Sequence, residues 1–233
     1  MTVATSSILS GTPAGTTAEL FDVFDRVVVV NLARRQDRLA RFRQRLNDWP
    51  FKQPERFEAV DGLAVGVPTG WEKGAGAWGC MLSHRAVVSA AIRDGISSLL
   101  VLEDDARPVP NFSLLAGEFL TNVPEDWDCL MLGAQHLLPP TLVCRGVVRC
   151  GAANRTHAYA IRGPMMSTLL KRWEQSANDH CDIILASLMQ QFKAYAPNPF
   201  VIGQDAGYSD VTDTTEPVRF LSARQIKTIH LTQ

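Results

Sequence analysis

The sequence has no excess of charge of either sign, because 23 lysines and arginines stand against 24 aspartates and glutamates in 233 residues, for a formal net charge of -1. Proteins that bind nucleic acids usually carry a basic excess, so this balance argues against that class. The sequence also has no apolar run that approaches the roughly 18–20 residues needed to cross a bilayer. We therefore predict no nucleic-acid partner and no membrane span.

Cysteine is sparse and irregularly spaced. The five cysteines are Cys80, Cys129, Cys144, Cys150 and Cys181. They form no C-x-x-C pair, and such spacing indicates neither a disulfide framework nor a zinc site. Reduced thiols in a cytosolic protein are the simplest interpretation, and a Cys144–Cys150 disulfide in an oxidising compartment is the alternative.

Signals for secretion and for the common nucleotide-binding loops are missing as well. Residues 1–24 lack an early basic cluster and a long apolar stretch, so we predict a loosely ordered leader there. The signals for regular structure weaken again towards a tail at 216–233. The chain contains no P-loop pattern, and no buried strand precedes Gly74, Gly76 and Gly79, so a dinucleotide fingerprint is not indicated either.

The sequence does contain an alternation of strands and helices. The continuous apolar runs 27–30 and 99–102 are typical of strands buried on both faces. Apolar residues at helical spacing predict helices at 39–49 and 81–94. This alternation predicts a single α/β domain over residues 25–215 with a mostly parallel central sheet. Such sheets bind ligands at the carboxyl ends of their strands.

Three consecutive carboxylates, Glu103, Asp104 and Asp105, follow the second apolar run. Packing like charges together is costly unless a cation or several donors compensate. In extended backbone Glu103 and Asp105 project to one side and Asp104 to the other. Two oxygen ligands on one side predict a Mg²⁺ or Mn²⁺ site shared with a phosphate-bearing substrate. The alternative is a solvated strand end that binds nothing.

The other candidate residues carry weaker local signals. The arginines nearest to the end of the first strand are Arg34, Arg35 and Arg38. They could bind a phosphate bidentately or form the wet face of a helix. The segment 79–84 opens a helix whose free N–H groups favour an anion. His84 and His157 are more often structural in such positions, and Asp182 is most economically a helix cap or first-turn acid.

Several short motifs follow one another in a fixed order. They are VVNLxRRxxR (Val29–Arg38), FxAVDG (Phe57–Gly62), GCxxSH (Gly79–His84), LVLEDD (Leu100–Asp105), THAY (Thr156–Tyr159), Asp182 and Ser209-Asp210. In this order and spacing the chain resembles glycosyltransferase family 25. That family includes bacterial lipopolysaccharide and lipooligosaccharide hexosyltransferases and the animal procollagen galactosyltransferases. The resemblance covers about residues 27–210.

The resemblance implies a GT-A fold, a UDP-sugar donor, a divalent cation (Mn²⁺ or Mg²⁺) and inversion at the anomeric carbon. It assigns Glu103 and Asp105 to the metal. It assigns the nucleotide side to Asn31, Arg34, Arg38, Gly79, Ser83, His84, Asp104, His157 and Tyr159. An inverting displacement also needs a carboxylate to take the proton of the acceptor hydroxyl. The candidates for this base are Asp182 first, then Asp205 and Asp210.

We therefore expect a metal-dependent hexosyltransferase that moves galactose or glucose from a UDP-sugar to a hydroxyl of a glycan or lipooligosaccharide. A non-catalytic GT-A-like protein that binds a nucleotide or a partner is the alternative. A glycoside hydrolase with two carboxylates across a cleft is a second enzymatic rival. The expected location is the cytoplasm, with peripheral contact to the inner membrane through a glycolipid acceptor as an open alternative.

Overall fold

The computed structural model describes residues 20–211 and 214–219. The strands are β1 (Arg26–Leu32), β2 (Glu55–Ala59), β3 (Ser98–Glu103), β4 (Ala106–Pro108), β5 (Cys129–His136), β6 (Thr141–Cys144), β7 (Val147–Arg149), β8 (Ala153–Arg162), β9 (Ala194–Pro197), β10 (Ile202–Gln204), β11 (Gly207–Ser209) and β12 (Thr214–Glu216). The helices named here are α1 (Gln36–Gln44), α2 (Gly62–Val65), α3 (Gly74–Arg93), α4 (Phe112–Asn122), α5 (Pro164–Gln175) and α6 (Cys181–Leu188). Most of the predicted leader and tail lies outside the described residues, so the predicted division of the chain stays a prediction.

Eight strands form one sheet in the order β2-β1-β3-β8-β5-β9-β7-β6. Strands β1, β2 and β3 pair in parallel, and β5 pairs in parallel with β9. Strands β8 and β7 pair antiparallel with their neighbours. Six of the eight strands therefore run in one direction, which confirms the predicted α/β class with a mostly parallel central sheet.

Both faces of the sheet are covered, as the continuous apolar runs predict. Val28 and Val30 face a core that contains Met81 and Val88 of α3. Val27 and Val29 face the other core, which contains residues of α1 and α4. Successive side chains of β1 thus enter opposite cores, because a strand alternates its side chains between the two faces.

Strand β8 is almost entirely buried. Eight of its ten residues are buried, and Tyr159 and Ala160 are fully inaccessible. It lies between β3 and β5 in the middle of the sheet and pairs with both. Its polar residues Asn154, Thr156 and His157 obscured this central position, because they interrupt the apolar pattern of a buried strand.

Helix α3 begins at Gly74, about two turns before the start that the apolar spacing predicts. Residues 74–80, which precede the predicted start, are the first part of this helix. A side chain at Gly76 would overlap the carbonyl group of Asp210, and one at Gly79 would overlap the backbone at Val60 and Gly62. Glycine is therefore required here because two other backbone segments lie against the start of the helix.

No helix within the described part of the chain combines the length and apolar character needed to cross a bilayer.

Candidate functional site

A cavity of about 760 Å³ opens at the carboxyl ends of β1 and β3. This is the edge at which α/β sheets bind ligands. Acidic and basic residues line one side, and the start of α3 and the start of α6 line another. Such a volume lies within the range of about 300–1,000 Å³ that small-molecule sites occupy.

Glu103, the last residue of β3, lines the cavity and faces α3 and β8. Its Oε1 accepts a 2.7 Å hydrogen bond from Thr156 Oγ1 and lies 3.4 Å from His84 Nε2. Burial would raise the pKa of this carboxyl, but the neighbouring His84 and the Thr156 hydroxyl lower it to about 2. Glu103 is therefore a permanent negative charge at the floor of the cavity.

Asp104 is held between the first strand and α1. Its Oδ2 accepts a 2.7 Å hydrogen bond from Asn31 Nδ2, and its Oδ1 lies 2.5 Å from Arg38 Nη2. Burial raises the pKa of the Asp104 carboxyl, and the positive charge of Arg38 opposes that rise. Asn31 does not occur among the described residues that line the cavity, so it supports Asp104 from behind.

Asp105 occupies the same side as Asp104. Its Oδ2 lies 3.2 Å from Arg38 Nη2 and 3.4 Å from Gln204 Nε2, while its buried Oδ1 has no hydrogen-bond partner among the described residues. Burial and the negative charge of Glu103 raise the pKa of Asp105 to about 7. A carboxyl with this pKa is about half ionised at neutral pH, and a nearby cation favours its charged form.

The prediction that Glu103 and Asp105 project to one side of the strand and Asp104 to the other is wrong. Asp104 and Asp105 share the guanidinium of Arg38, whereas Glu103 faces His84 and Thr156. The reason is that the extended backbone ends at Glu103 and a turn follows, so the alternation of a strand does not continue. All three carboxylates nevertheless line the same cavity.

The arginines after β1 are tied to acids at the mouth of the cavity. Arg34 Nη1 lies 2.7 Å from one oxygen of Asp210, and Arg35 Nη1 lies 2.7 Å from the other. Arg34 also donates to Asp61 over 2.9 Å. Arg34 and Arg38 line the cavity, so two of the predicted phosphate-binding arginines face it.

Some residues of the motif at the start of α3 line the cavity, and others support the adjacent loop. Ser83 and His84 line the cavity, and Gly79 packs against the loop before α2. Ser83 Oγ accepts a 2.9 Å hydrogen bond from the backbone N–H of Val60 and donates one of 2.6 Å to the Gly79 carbonyl. This places the loop against the helix.

His157 and Tyr159 do not occur among the described lining residues. His157 Nε2 lies 3.3 Å from the Ile202 carbonyl, and burial lowers the pKa of this histidine to about 4. Tyr159 lies behind His84, with its hydroxyl 3.0 Å from His84 Nδ1. Both residues therefore position their neighbours and lie beneath the wall of the cavity.

The three candidate bases have different environments. Asp182 lies in the first turn of α6 and lines the cavity, and its Oδ2 accepts a 3.0 Å hydrogen bond from the backbone N–H of Arg155. Asp205 pairs with Arg45 and Arg107 outside this lining. Asp210 forms ion pairs with Arg34 and Arg35. Asp182 thus differs from the other two candidates, because no arginine among the described residues forms an ion pair with it.

Two lining residues were missed by the sequence analysis. Arg155 has a positive φ of 76°, and its Nη1 donates a 2.8 Å hydrogen bond to Gln204 Oε1. Gln204 in turn contacts Asp105. A positive φ at a residue with a long side chain is uncommon and leaves no mark in the sequence. The proximity of β10 to the acids also depends on the tertiary fold alone.

Curated relatives match about half or more of the chain. The human protein named "Inactive glycosyltransferase 25 family member 3" is 30% identical in an alignment of 164 positions that covers 60% of this chain and 27% of that protein. Human procollagen galactosyltransferase 2 is 27% identical in an alignment of 134 positions that covers 49% of this chain and 21% of that protein. The resemblance to glycosyltransferase family 25 is confirmed. The match spans about a quarter of the length of these relatives, and no family model matches the chain.

Solved structures with similar backbones include a glycosyltransferase involved in the glycosylation of the major capsid of PBCV-1. It has a TM-score of 0.37 and 9% identity, over 64% of this chain and 65% of that one. UDP-glucose pyrophosphorylase complexed with UDP-glucose gives a TM-score of 0.38 and 8% identity, over 77% of this chain and 66% of that chain.

Proposed function

We propose that the protein is a hexosyltransferase that transfers galactose or glucose from UDP to a hydroxyl group of a glycan or glycolipid. The observation that carries the proposal is the cavity at the strand ends, where Glu103, Asp104 and Asp105 face Arg34 and Arg38. Carboxylates and guanidinium groups in one cleft suit a diphosphate with its counterion. Human procollagen galactosyltransferase 2, one of the relatives, supports the reaction class.

The residues present fit a divalent cation. Asp105 Oδ1 is buried without a hydrogen-bond partner in the described structure, and Glu103 supplies a second carboxylate in the same cavity. Hard oxygen ligands of this kind are those that Mg²⁺ and Mn²⁺ prefer. When bound there, the cation neutralises negative charge on the departing diphosphate.

Arg38 has a second role in this proposal. Its guanidinium contacts Asp104 and Asp105 and lies 3.8 Å from Asp210. Mutual pairing keeps the acids and the arginine in place, so the site is preorganised before a donor arrives. A planar guanidinium can also bind phosphate oxygens bidentately.

Asp182 is the proposed base of the transfer step. The bond between the sugar C1 and the diphosphate oxygen breaks with its electron pair going to UDP, and the acceptor oxygen forms the new bond to C1. The acceptor hydroxyl loses its proton to Asp182. The backbone N–H of Arg155 orients this carboxylate from one side.

The first experiment is isothermal titration of the protein with UDP, with and without Mn²⁺. We expect binding that Mn²⁺ strengthens, and we expect Asp105→Ala to lose that effect. The matched control is Asp126→Ala, an exposed aspartate that pairs with Lys193 on the surface. Absence of UDP binding under both conditions would reject the proposal.

The second experiment measures donor consumption and transfer by mass spectrometry over a panel of UDP-sugars and acceptors. We expect Asp182→Asn to lower transfer by about 10²–10⁴-fold while UDP binding is retained. Asp179→Asn, three residues earlier and exposed, is the control. Equal activity of wild type and Asp182→Asn would remove Asp182 from the mechanism.

A non-catalytic nucleotide-binding protein is the second candidate. The observation that favours it is that Arg38 pairs with Asp104 and Asp105, so a cation already compensates the acids. Relatives named inactive are compatible with it. UDP binding without donor consumption across the whole acceptor panel would select this candidate.

A further inference from the structure

Three sulfur and nitrogen ligands meet beside the acidic floor of the cavity. Cys80 and His84 lie one turn apart on α3, and Cys181 is the first residue of α6. The Cys80 and Cys181 sulfur atoms are 3.5 Å apart, and the ligand atoms of all three residues lie within 4.8 Å of one another. The irregular cysteine spacing in the sequence gave no sign of this cluster, because it joins residues 101 positions apart.

His84 has the hydrogen bonding of a metal ligand. Its Nδ1 lies 3.0 Å from the Tyr159 hydroxyl, which fixes the ring. Its Nε2 is buried and has no hydrogen-bond partner among the described residues, and it lies 3.4 Å from Glu103 Oε1. Metal-bound histidines commonly donate their other ring N–H to a partner in this way. This nitrogen, which lies beside the Glu103 carboxylate, is therefore placed to bind a cation.

We propose that Cys80, His84 and Cys181 bind a thiophilic divalent cation, most suitably Zn²⁺. Two thiolates about 2.3 Å from one tetrahedral zinc ion stand about 3.8 Å apart, so the 3.5 Å between the sulfurs needs only a small adjustment. All three residues line the cavity, which leaves the fourth position to a water molecule or another oxygen ligand. The Glu103 carboxylate adds negative charge beside the cation.

This site is chemically separate from the oxygen site of the proposed function. Thiolate and imidazole ligands select Zn²⁺, whereas carboxylates suit Mn²⁺ and Mg²⁺. Metal binding by this cluster does not depend on whether the protein transfers sugars. A bound Zn²⁺ would join α3 to α6 and fix His84 next to Glu103.

The test uses the full chain in its reduced, chelator-treated form, titrated with Co²⁺ and observed by absorption spectroscopy. We expect a thiolate-to-cobalt charge-transfer band that saturates at one equivalent and disappears when Zn²⁺ is added. Cys80→Ser should weaken binding by about 10–100-fold or abolish the band. Cys144→Ser, on strand β6, and Asp105→Asn, in the oxygen site, should both keep it.

A second measurement covers the case in which a variant does not fold. In the wild type, Zn²⁺ should protect Cys80 and Cys181 from alkylation, read by peptide mass spectrometry, and should leave Cys144 reactive. Absence of the cobalt band together with absence of protection overturns the proposal. So does a band that survives Cys80→Ser, or a Cys80–Cys181 disulfide in a protein that binds no metal after reduction.

Discussion

The side-chain amide of Asn31 donates a 2.7 Å hydrogen bond to the carboxylate of Asp104, a residue 73 positions further along the chain. The same amide nitrogen donates to the Arg35 carbonyl over 2.9 Å, and Asn31 Oδ1 accepts from Arg56 over 3.0 Å. One buried amide thus links the ends of β1 and β3 with the start of α1. Together with Arg38, it compensates the buried carboxylate of Asp104.

We expect Asn31→Asp to lower the free energy of unfolding by about 2–4 kcal/mol, because it places a second carboxylate against Asp104 and removes a donor. The measurement is urea unfolding. In the double variant Asn31→Asp/Asp104→Asn the hydrogen bond can form in the opposite direction. Its stability should exceed that of the single variant, and a double variant no more stable than Asn31→Asp would contradict the proposed link.

We expect Arg38→Met to cost about 3 kcal/mol or more at about pH 8, because Asp104 and Asp105 lose their shared cation while still buried. The pKa of Asp105 is already raised to about 7, and loss of Arg38 raises it further. A raised carboxyl pKa favours the folded state at low pH, so the loss should shrink at about pH 6. Arg38→Lys should recover part of the stability, and an equal loss at both pH values would contradict this explanation.

We expect Gly76→Ala to weaken UDP binding at least tenfold, because the new methyl group displaces the Asp210 carbonyl and with it the acid that holds Arg34 and Arg35. Calorimetry with UDP provides the measurement. Gly117→Ala in α4 is the control, since its methyl group would meet the ends of the Phe21 and Leu20 side chains and no backbone. Unchanged UDP affinity in Gly76→Ala would show that this loop does not shape the site.

We expect acid to destabilise the protein through His136, which stacks on Phe200 with ring centroids 5.0 Å apart. Burial lowers the pKa of His136 to about 4. The unfolded chain takes up a proton below about pH 6.5 while the folded chain does not, so stability falls with pH from there towards pH 4.

The loss assigned to His136 between about pH 7.5 and pH 5 is about 2 kcal/mol. His136→Phe keeps the stacking and removes the proton site, so its unfolding free energy should change less over this range by that amount. Because the two pH values are compared within each protein, any packing difference cancels. The same pH dependence in wild type and variant would contradict the assignment.

The patterns that predicted the fold were local. The run at 27–30 predicted β1, and the run at 99–102 placed the acids that follow it at the carboxyl edge of the sheet. The position of β8 between β3 and β5 was not predictable from its polar residues Asn154 and Thr156. Those side chains are buried because they line the cavity or bond Glu103, which only the assembled fold shows.

The candidate site was likewise predictable from the sequence only in part. Motif order identified Arg34, Arg38 and the three acids as neighbours of one cleft, and all of them line it. The contacts of Gln204 with Asp105, and of Cys80 with Cys181, join residues about 100 positions apart. No spacing in the sequence predicts such contacts, because they depend on how the intervening chain folds.

The central antiparallel strand also constrains how the protein assembles. Strand β8 separates β3 from β5, so these two cannot hydrogen-bond into one sheet until the ribosome has released the chain through Arg162. Thr156, which bonds Glu103, arrives with that strand. A nascent chain therefore carries Glu103 without the hydrogen bond from Thr156 for more than fifty residues of synthesis.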